Sequence, residues 1–294
     1  MERTLFRFLR SWTCASLLVC FAVAVCHAVQ IEEIKQRGVL IHLGVPYANF
    51  VTGSGDGLDV ELIKLFAQHL GVEYQYFETS WADAIGDLCG KEATAESQKV
   101  QARGDVIANG FTVIPKREKM VNFSIPTFPT QVWLIARSDS PIKPITPGDS
   151  IGKDIQMVRS LLGGHEVLVL KNTCLDPSLH NLEATGARVR CFPGSLNELA
   201  PAVINGEAET TILDLPDAFI ALEKWPGKIK IIGPISEAQV MGCAIAKSSD
   251  ELREAFNLFF EQCKRDGTYM RLVAKYYPRA PHYFPEFFRQ IQER

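Results

Sequence analysis

The sequence predicts an α/β protein of two lobes, each a mainly parallel sheet flanked by helices, with a two-strand hinge between them. Three observations carry this. Short apolar runs alternate with amphipathic helical stretches from the first third of the chain to the last. A segment rich in Ser, Asp, Pro and Gly, Ser138 to Gly148, separates two such series. After Gly233-Pro234 the chain returns through one more strand to two closing helices. The second series therefore reads as a lobe (137–240) inserted into the first (29–136 plus 241–294).

The elements follow in order. Val39–Gly44 is a short apolar strand, and 59–70 carries Val60, Leu62, Ile63, Phe66 and Ala67 at helical spacing before a stop at Gly71. Val72–Phe77 alternates as a strand, 81–88 is a short helix, and 89–104 is a polar surface excursion. Asp105–Ala108 and Val132–Ala136 are strands. The second series runs through helix 150–162, strand Val167–Leu170, helix Pro177–Ala184, strand Val189–Phe192 and helix Leu196–Asn205, then strands Thr210–Leu213 and Ile229–Ile232. Strand Gly242–Ala246 leads to helix 249–265, with Ser248 and Glu251 spaced as a capping box.

The first 28 residues form a separate object. Arg3, Arg7 and Arg10 precede an apolar run from Cys14 to Cys26, and Cys26-His27-Ala28 offers a small residue for cleavage, the pattern of a secretory signal peptide. The run is shorter than the roughly 18 residues a membrane span needs. Val19 and Val25 before Cys20 and Cys26 argue against a lipoprotein signal. Cleavage after about Ala28 takes the net charge from −3 to −5 and places a soluble protein in the periplasm. That acidic balance offers no basic footprint for nucleic acid. Five cysteines remain, without C-x-x-C spacing, and the histidines show no metal-ligand spacing, so neither a metal nor a cofactor is expected.

The most informative stretch runs from Gly104 to Arg117 and on to Val121-Asn122-Phe123-Ser124-Ile125-Pro126. It reads as a strand ending in small residues, then Thr112, then a Pro-containing turn, then Arg117. Small residues at a strand's C-terminal end let a ligand approach the backbone, and open α/β sheets bind ligands just outside those ends. Arg117 offers a planar fork for a carboxylate; taken alone, it reads equally as half of a surface ion pair, with Thr112 a turn residue.

This stretch resembles the Gly-Met-Thr-Ile-Thr-Pro-Glu-Arg … Phe-Ser-x-Pro-Tyr signature of the family 3 periplasmic solute-binding proteins, the polar amino-acid class that serves ABC importers. Tyr47-Ala48-Asn49-Phe50, Gly57-Leu58-Asp59-Val60-Glu61-Leu62, Leu70-Gly71, Trp81, the segment Gly206 to Asp214 and Asp266-Gly267-Thr268 extend the resemblance in one order over roughly residues 35–277. It implies a type II periplasmic binding protein fold, a monomer, an amino-acid-like ligand in the interlobe cleft, and a membrane permease as partner. It also implies roles. Arg117 would bind the α-carboxylate, helped by the N–H and hydroxyl of Thr112. Asp214 from the other lobe would accept from the α-ammonium, and Tyr47 would stack on the ligand body. Asn109 and Gly110 would line the floor. Thr173, before helix 177–184, would aim N–H groups at the carboxylate. Trp81 is core or cleft wall. A cation on one lobe and an anion on the other would let a zwitterion draw the lobes together.

Departures from the family pattern are as informative. The family's Gly-Thr-Thr is here Asn172-Thr173-Cys174, which puts the loop conformation in question. The tail after Tyr277 lies beyond the resemblance and reads as a strand or helix strapped onto the first lobe. Exported cyclohexadienyl dehydratases share the fold, but the Glu they carry just after this turn is absent here, Asp176 being the nearest acid, so no chemistry on the ligand is expected. A Cys174–His165 or Cys174–His180 nucleophile is outweighed by a packed thiol or a Cys174–Cys191 disulfide. The same module serves as the input domain of membrane receptors and as the regulatory front end of membrane-bound lytic transglycosylases; sensing by this chain would proceed by docking onto another protein.

Overall fold

The computed structural model describes residues 31–90 and 101–292. The first 28 residues and most of the 89–104 excursion lie outside this range. The described residues hold twelve strands: β1 Val39–Gly44, β2 Glu73–Glu78, β3 Val106–Ile107, β4 Val121–Phe123, β5 Phe128–Thr130, β6 Val132–Arg137, β7 Glu166–Val169, β8 Arg188–Cys191, β9 Thr210–Asp214, β10 Ile229–Pro234, β11 Gln239–Met241 and β12 Ala244–Ala246. They form two five-stranded sheets, ordered β2-β1-β3-β12-β4 and β10-β6-β9-β7-β8, and a two-stranded ribbon of β11 and β5. Within each sheet the β-α-β units are parallel, as for β1 with β2 and β3 and β7 with β8 and β9. The strands next to the crossings, β12 and β6, run antiparallel to their neighbours.

The two sheets are the two lobes, and the β5–β11 ribbon is the hinge between them. Val132–Arg137, expected with the first lobe, is instead the second strand of the second sheet, bonded to β9 and β10. The composition break at Ser138 marks the turn leaving that strand; the crossing itself comes earlier, at β5. Val132, Leu134, Ile135 and Ala136 are fully buried there, an apolar run suited to a central strand.

Each lobe has its own apolar interior. In the first, helix Leu58–Leu70 buries Leu62, Ile63, Phe66 and Ala67 and packs Phe66 edge-on against Phe256 of helix Asp250–Arg265 at 5.2 Å. Gly71, in the left-handed region at φ 75°, ends the first of these helices by donating its N–H back to Gln68. Ser249 rather than Ser248 stands at the start of the second, without a side-chain cap bond, and the expected capping box does not form: Asp250 pairs with Arg253 at 2.7 Å and accepts from Asn122 instead. In the second lobe Leu134, Val167, Leu168, Val203 and Ile212 are fully buried between the sheet and its helices. One of those helices, Leu215–Lys224 with Pro216 in its first turn, is absent from the sequence reading.

The tail forms two short helices, Ala280–Tyr283 and Pro285–Gln292. Phe288 is buried against Phe128 of the hinge strand at 5.8 Å. Tyr283 stacks on Phe219 of the second lobe at 4.3 Å, and Arg279 reaches Glu223 of that lobe at 3.4 Å. The tail therefore touches the hinge and the second lobe as well as the first. No helix among the described residues is long and apolar enough to cross a membrane.

Candidate functional site

The floor of the site is the C-terminal end of β3. Ala108 is held from beneath by His42, whose Nε2 meets the Ala108 carbonyl at 2.5 Å while Nδ1 meets the Tyr74 hydroxyl. Burial lowers the His42 pKa to about 4, so the ring is neutral and acts as a fixed strut. Gly110 donates its N–H to Asp59 at 2.7 Å. It sits at φ 64° with Phe50 packed on its Cα, where a Cβ would stand 2.6 Å from the Phe50 ring. Asn109 is fully buried, and both polar atoms of its amide lack a protein partner. Thr112 is fully buried too, and its hydroxyl lies near the Cys174 thiol without forming an aligned hydrogen bond. Unsatisfied buried groups cluster here rather than in the cores, as expected of a surface prepared for something else to bind.

Arg117 follows from local sequence. Ile114 is extended, Pro115 starts a one-turn helix, Pro115–Glu118, and that turn swings Arg117 back over the floor. Arg117 is only 4% exposed. It donates to the Thr112 carbonyl at 2.8 Å, and its guanidinium carbon lies 3.8 Å from the Phe111 ring centre and 5.8 Å from that of Trp81. Among the described residues no carboxylate lies within ion-pair distance of it. Burial pulls its pKa down, and the charge of Asp214 pulls it back up. A buried guanidinium stays charged and is ordinarily paired.

Asp214 answers it from the second lobe. It is the last residue of β9 and fully buried. Three donors converge on it: Tyr47 Oη at 3.3 Å, Thr130 Oγ1 at 3.2 Å and Cys174 Sγ at 2.9 Å. Burial raises its pKa, and those donors together with Arg117 oppose the rise. Burial likewise holds the Tyr47 phenol and the Cys174 thiol in their protonated, donating forms. Tyr47 packs edge-on to Trp81 at 5.6 Å. Asn197 bridges the lobes, accepting from the Ala48 N–H at 3.0 Å and donating to the Pro46 carbonyl at 3.2 Å. The lobes are thus closed upon each other, with Tyr47 of one bonded to Asp214 of the other. Beside Arg117 a cleft of about 470 Å³ remains, lined by Trp81 and Phe111 from one lobe and Thr173 from the other.

Thr173 is placed at the cleft, but its hydroxyl serves its own loop, donating to the Leu170 carbonyl and accepting from the Leu175 N–H. The helix expected over 177–184 is a single turn, Pro177–His180, followed by a 3-10 turn at Glu183–Thr185. Asp176 caps that turn with its own carboxylate, so no helix dipole is left to hold an anion. Asn172 adopts φ 62°, a left-handed conformation that asparagine tolerates better than most residues. Both Asp176 oxygens are engaged, by Asn172 and Ser178, and the carboxyl is held below its ordinary range despite partial burial. The expected Cys174–Cys191 disulfide is absent; both thiols are free. Cys191 ends β8 on the exposed surface, in register with Val169, whereas Cys174 lies beyond β7 and turns inward to Asp214.

The structure brings Tyr47, Trp81, Thr112, Arg117 and Asp214 together, with Asn109 and Gly110 beneath. Three participants escaped the sequence reading. Cys174 was read only as a nucleophile, a packed residue or a disulfide partner, Thr130 lies in an unread hinge strand, and Asp59 was seen only as part of a helix motif. An acid at the first turn of a helix otherwise burying Leu58, Val60, Leu62 and Ile63 was the available signal for Asp59.

Two lobes of α/β structure with a cation and an anion facing each other across a closed cleft define a bilobal solute-binding protein. The profile of the bacterial extracellular solute-binding proteins, family 3, matches residues 41–279, and the chain belongs to that family. ArgBP from T. maritima, in the crystal structure of its P235GK mutant, superposes with a TM-score of 0.67 at 26% identity, covering 84% of this chain and 99% of that one. The arginine-bound form of the truncated protein gives 0.62 at 25% identity, over 79% and 99%. Among curated proteins, membrane-bound lytic murein transglycosylase F of Desulfosudis oleivorans is 27% identical over 252 residues, 83% of this chain and 50% of that protein. The namesake from Pseudomonas savastanoi pv. phaseolicola is 27% identical over 84% of this chain and 47% of its own length. The chain thus spans about half the length of the curated relatives it matches.

Proposed function

We propose that this protein captures an amino acid or close analogue in its interlobe cleft, without chemical change, and hands it to an ABC permease in the membrane. The observation that carries this is Arg117: a guanidinium 4% exposed, with no carboxylate in reach among the described residues, opposite the buried Asp214. The ligand carboxylate takes Arg117 and the N–H and hydroxyl of Thr112. Its ammonium takes Asp214, displacing the Tyr47 and Cys174 donors, and Tyr47 and Trp81 close on its body. The unpaired amide of Asn109 supplies a further polar contact at the floor. Thr173 contributes packing and backbone. Family membership and the arginine-bound ArgBP neighbour support the ligand class, and the extracellular family supports export to the periplasm. An Asp176 held ionised and fully hydrogen-bonded is poorly suited to general-acid work, which supports binding without turnover; consumption of prephenate or arogenate by the purified protein would overturn that part.

A thermal-shift screen against the amino acids tests the reading. A ligand at 100 times its dissociation constant adds about 2.7 kcal/mol to stability. Arg117→Ala is expected to fold and to lose the shift; a full shift in that variant contradicts the carboxylate role.

A second reading, a sensory module that docks onto another protein, is favoured by one observation: the curated relatives carry this module in roughly half of a longer murein-processing chain. Pull-down of permease components by the ligand-loaded protein supports the first reading, and ligand-dependent capture of a cell-wall enzyme supports the second.

A further inference from the structure

The cleft beside Arg117 carries information about the side chain of the solute. Its walls are Trp81, Ile85 and Ile114 from the first lobe and Leu179 from the second, with Phe111 stacked beneath the guanidinium and Met120 at the rim. The volume, about 470 Å³, has room for an aromatic ring or a branched aliphatic chain. The charged groups along it are two cations and one carboxylate. Lys116 stands at the rim, where its charge acts on Asp176, and Arg117 stands at the base. The carboxylate is Asp176, already engaged by three donors: Oδ2 accepts from the Asn172 N–H at 3.0 Å, and Oδ1 from the Ser178 N–H at 3.0 Å and the Ser178 hydroxyl at 2.7 Å. A guanidinium or ammonium side chain entering here would lose its water and meet two cations and a single carboxylate that three donors already engage, which is the costly way to bury a charge. An apolar side chain would meet four apolar walls.

We infer that the solute is an acid with an apolar body, of the branched aliphatic, thioether or aromatic class, whose carboxylate sits on Arg117 while its side chain fills the cleft between Trp81, Ile85, Ile114 and Leu179. This rests on the proposed function for the carboxylate position and adds the identity of the other end.

Calorimetric titration of the purified protein with leucine, methionine, phenylalanine, arginine and lysine tests it, together with 4-methylpentanoate and 3-phenylpropanoate as acids without the ammonium. At least one apolar amino acid is expected to bind about tenfold or more tightly than arginine and lysine. Arginine or lysine binding as tightly as the best apolar amino acid overturns the inference while leaving the zwitterion reading in place. Binding of the two desamino acids alone preserves the inference and removes the role of Asp214 as ammonium acceptor. No binding by any of them removes both. The variant Leu179→Asp locates the site, because Leu179 is 43% exposed at the rim and its replacement leaves the cores intact. It is expected to shift the arginine-to-leucine affinity ratio toward arginine by about tenfold; an unchanged ratio places the side chain elsewhere and overturns the assignment of this cleft.

Discussion

At the scale of single residues, polar groups short of partners gather around one turn of chain. The amide of Asn109, the hydroxyl of Thr112 and the guanidinium of Arg117 lie within one stretch of nine residues, and all are buried. Gly110 makes that arrangement possible, because only a residue without Cβ can hold φ 64° under the Phe50 ring. Gly110→Ala is expected to cost about 1–3 kcal/mol, from the left-handed backbone together with displacement of Phe50, seen as a lowered Tm and weakened ligand binding in the same variant. The thiols make a second test. Cys89 and Cys191 are exposed, while Cys174, Cys243 and Cys263 are buried. Burial also pushes the Cys174 and Cys243 thiols well above their ordinary range and Cys263 up to about 11. Iodoacetamide on the folded protein at pH 8 should label Cys89 and Cys191 first, and reductant should leave the intact mass unchanged; a Cys174–Cys191 peptide in a non-reducing digest would contradict the structure. Arg117, Thr112, Tyr47 and Asp214 were legible because each stands in a run whose neighbours specify it. Cys174, Thr130 and Asn197 were not, because each acts through a partner 40 or more residues away, Asp214 or Pro46, and local spacing carries no trace of such pairs.

Among elements, those with strong apolar periodicity matched their sequence boundaries to within a few residues, as helix Leu58–Leu70 and helix Asp250–Arg265 did. The pieces that were missed or shortened are those whose form is set by tertiary contacts. Strands β5 and β11 are three residues each and exist as a pair across the hinge. The helix expected from Pro177 stops after one turn because Asn181 takes φ 46°. The tail belongs with these. It was expected as a strand or helix strapped onto the first lobe, and its Phe288 closes over Phe128 in the hinge strand. Phe288→Ala removes a ring that is 2% exposed and is expected to destabilise the protein by about 3–5 kcal/mol, measured by urea unfolding. An effect below about 1 kcal/mol would mean the tail is not packed on the hinge.

On the scale of the whole molecule, buried titratable groups tie stability to pH. Burial raises Asp217 to about 8, aided by the charge of Asp214, and Asp59 to about 7. Both hold protons in the folded state that the unfolded chain releases, so their contribution is fully present below about pH 4 and is lost as pH rises through 7 and 8. His42, lowered to about 4, acts oppositely: the unfolded chain takes up its proton below about 6.5, so its contribution grows as pH rises from 4 to 6.5. The two effects oppose each other below pH 6.5, and only the acids act above it. The Tm is therefore expected to fall between pH 6.5 and 8.5, by up to about 1.4 kcal/mol of stability per pH unit for each titrating group. Asp217→Asn should flatten the upper part of that fall; a variant with the parent's full slope would locate the titration elsewhere.

The order of strands in the first sheet also bears on how the protein is made. The second lobe's sheet is drawn from one continuous stretch, β6 to β10. The first lobe's sheet is not: β3 and β4 never touch, and the strand that joins them, β12, arrives only after the whole second lobe has been synthesised. A chain emerging N-terminus first therefore offers a finished inner lobe while the outer one still holds two bare strand edges. Such edges recruit other strands. While the chain is being made, the lobe that carries Arg117 is the one more exposed to aggregation, until residues 244–246 are delivered.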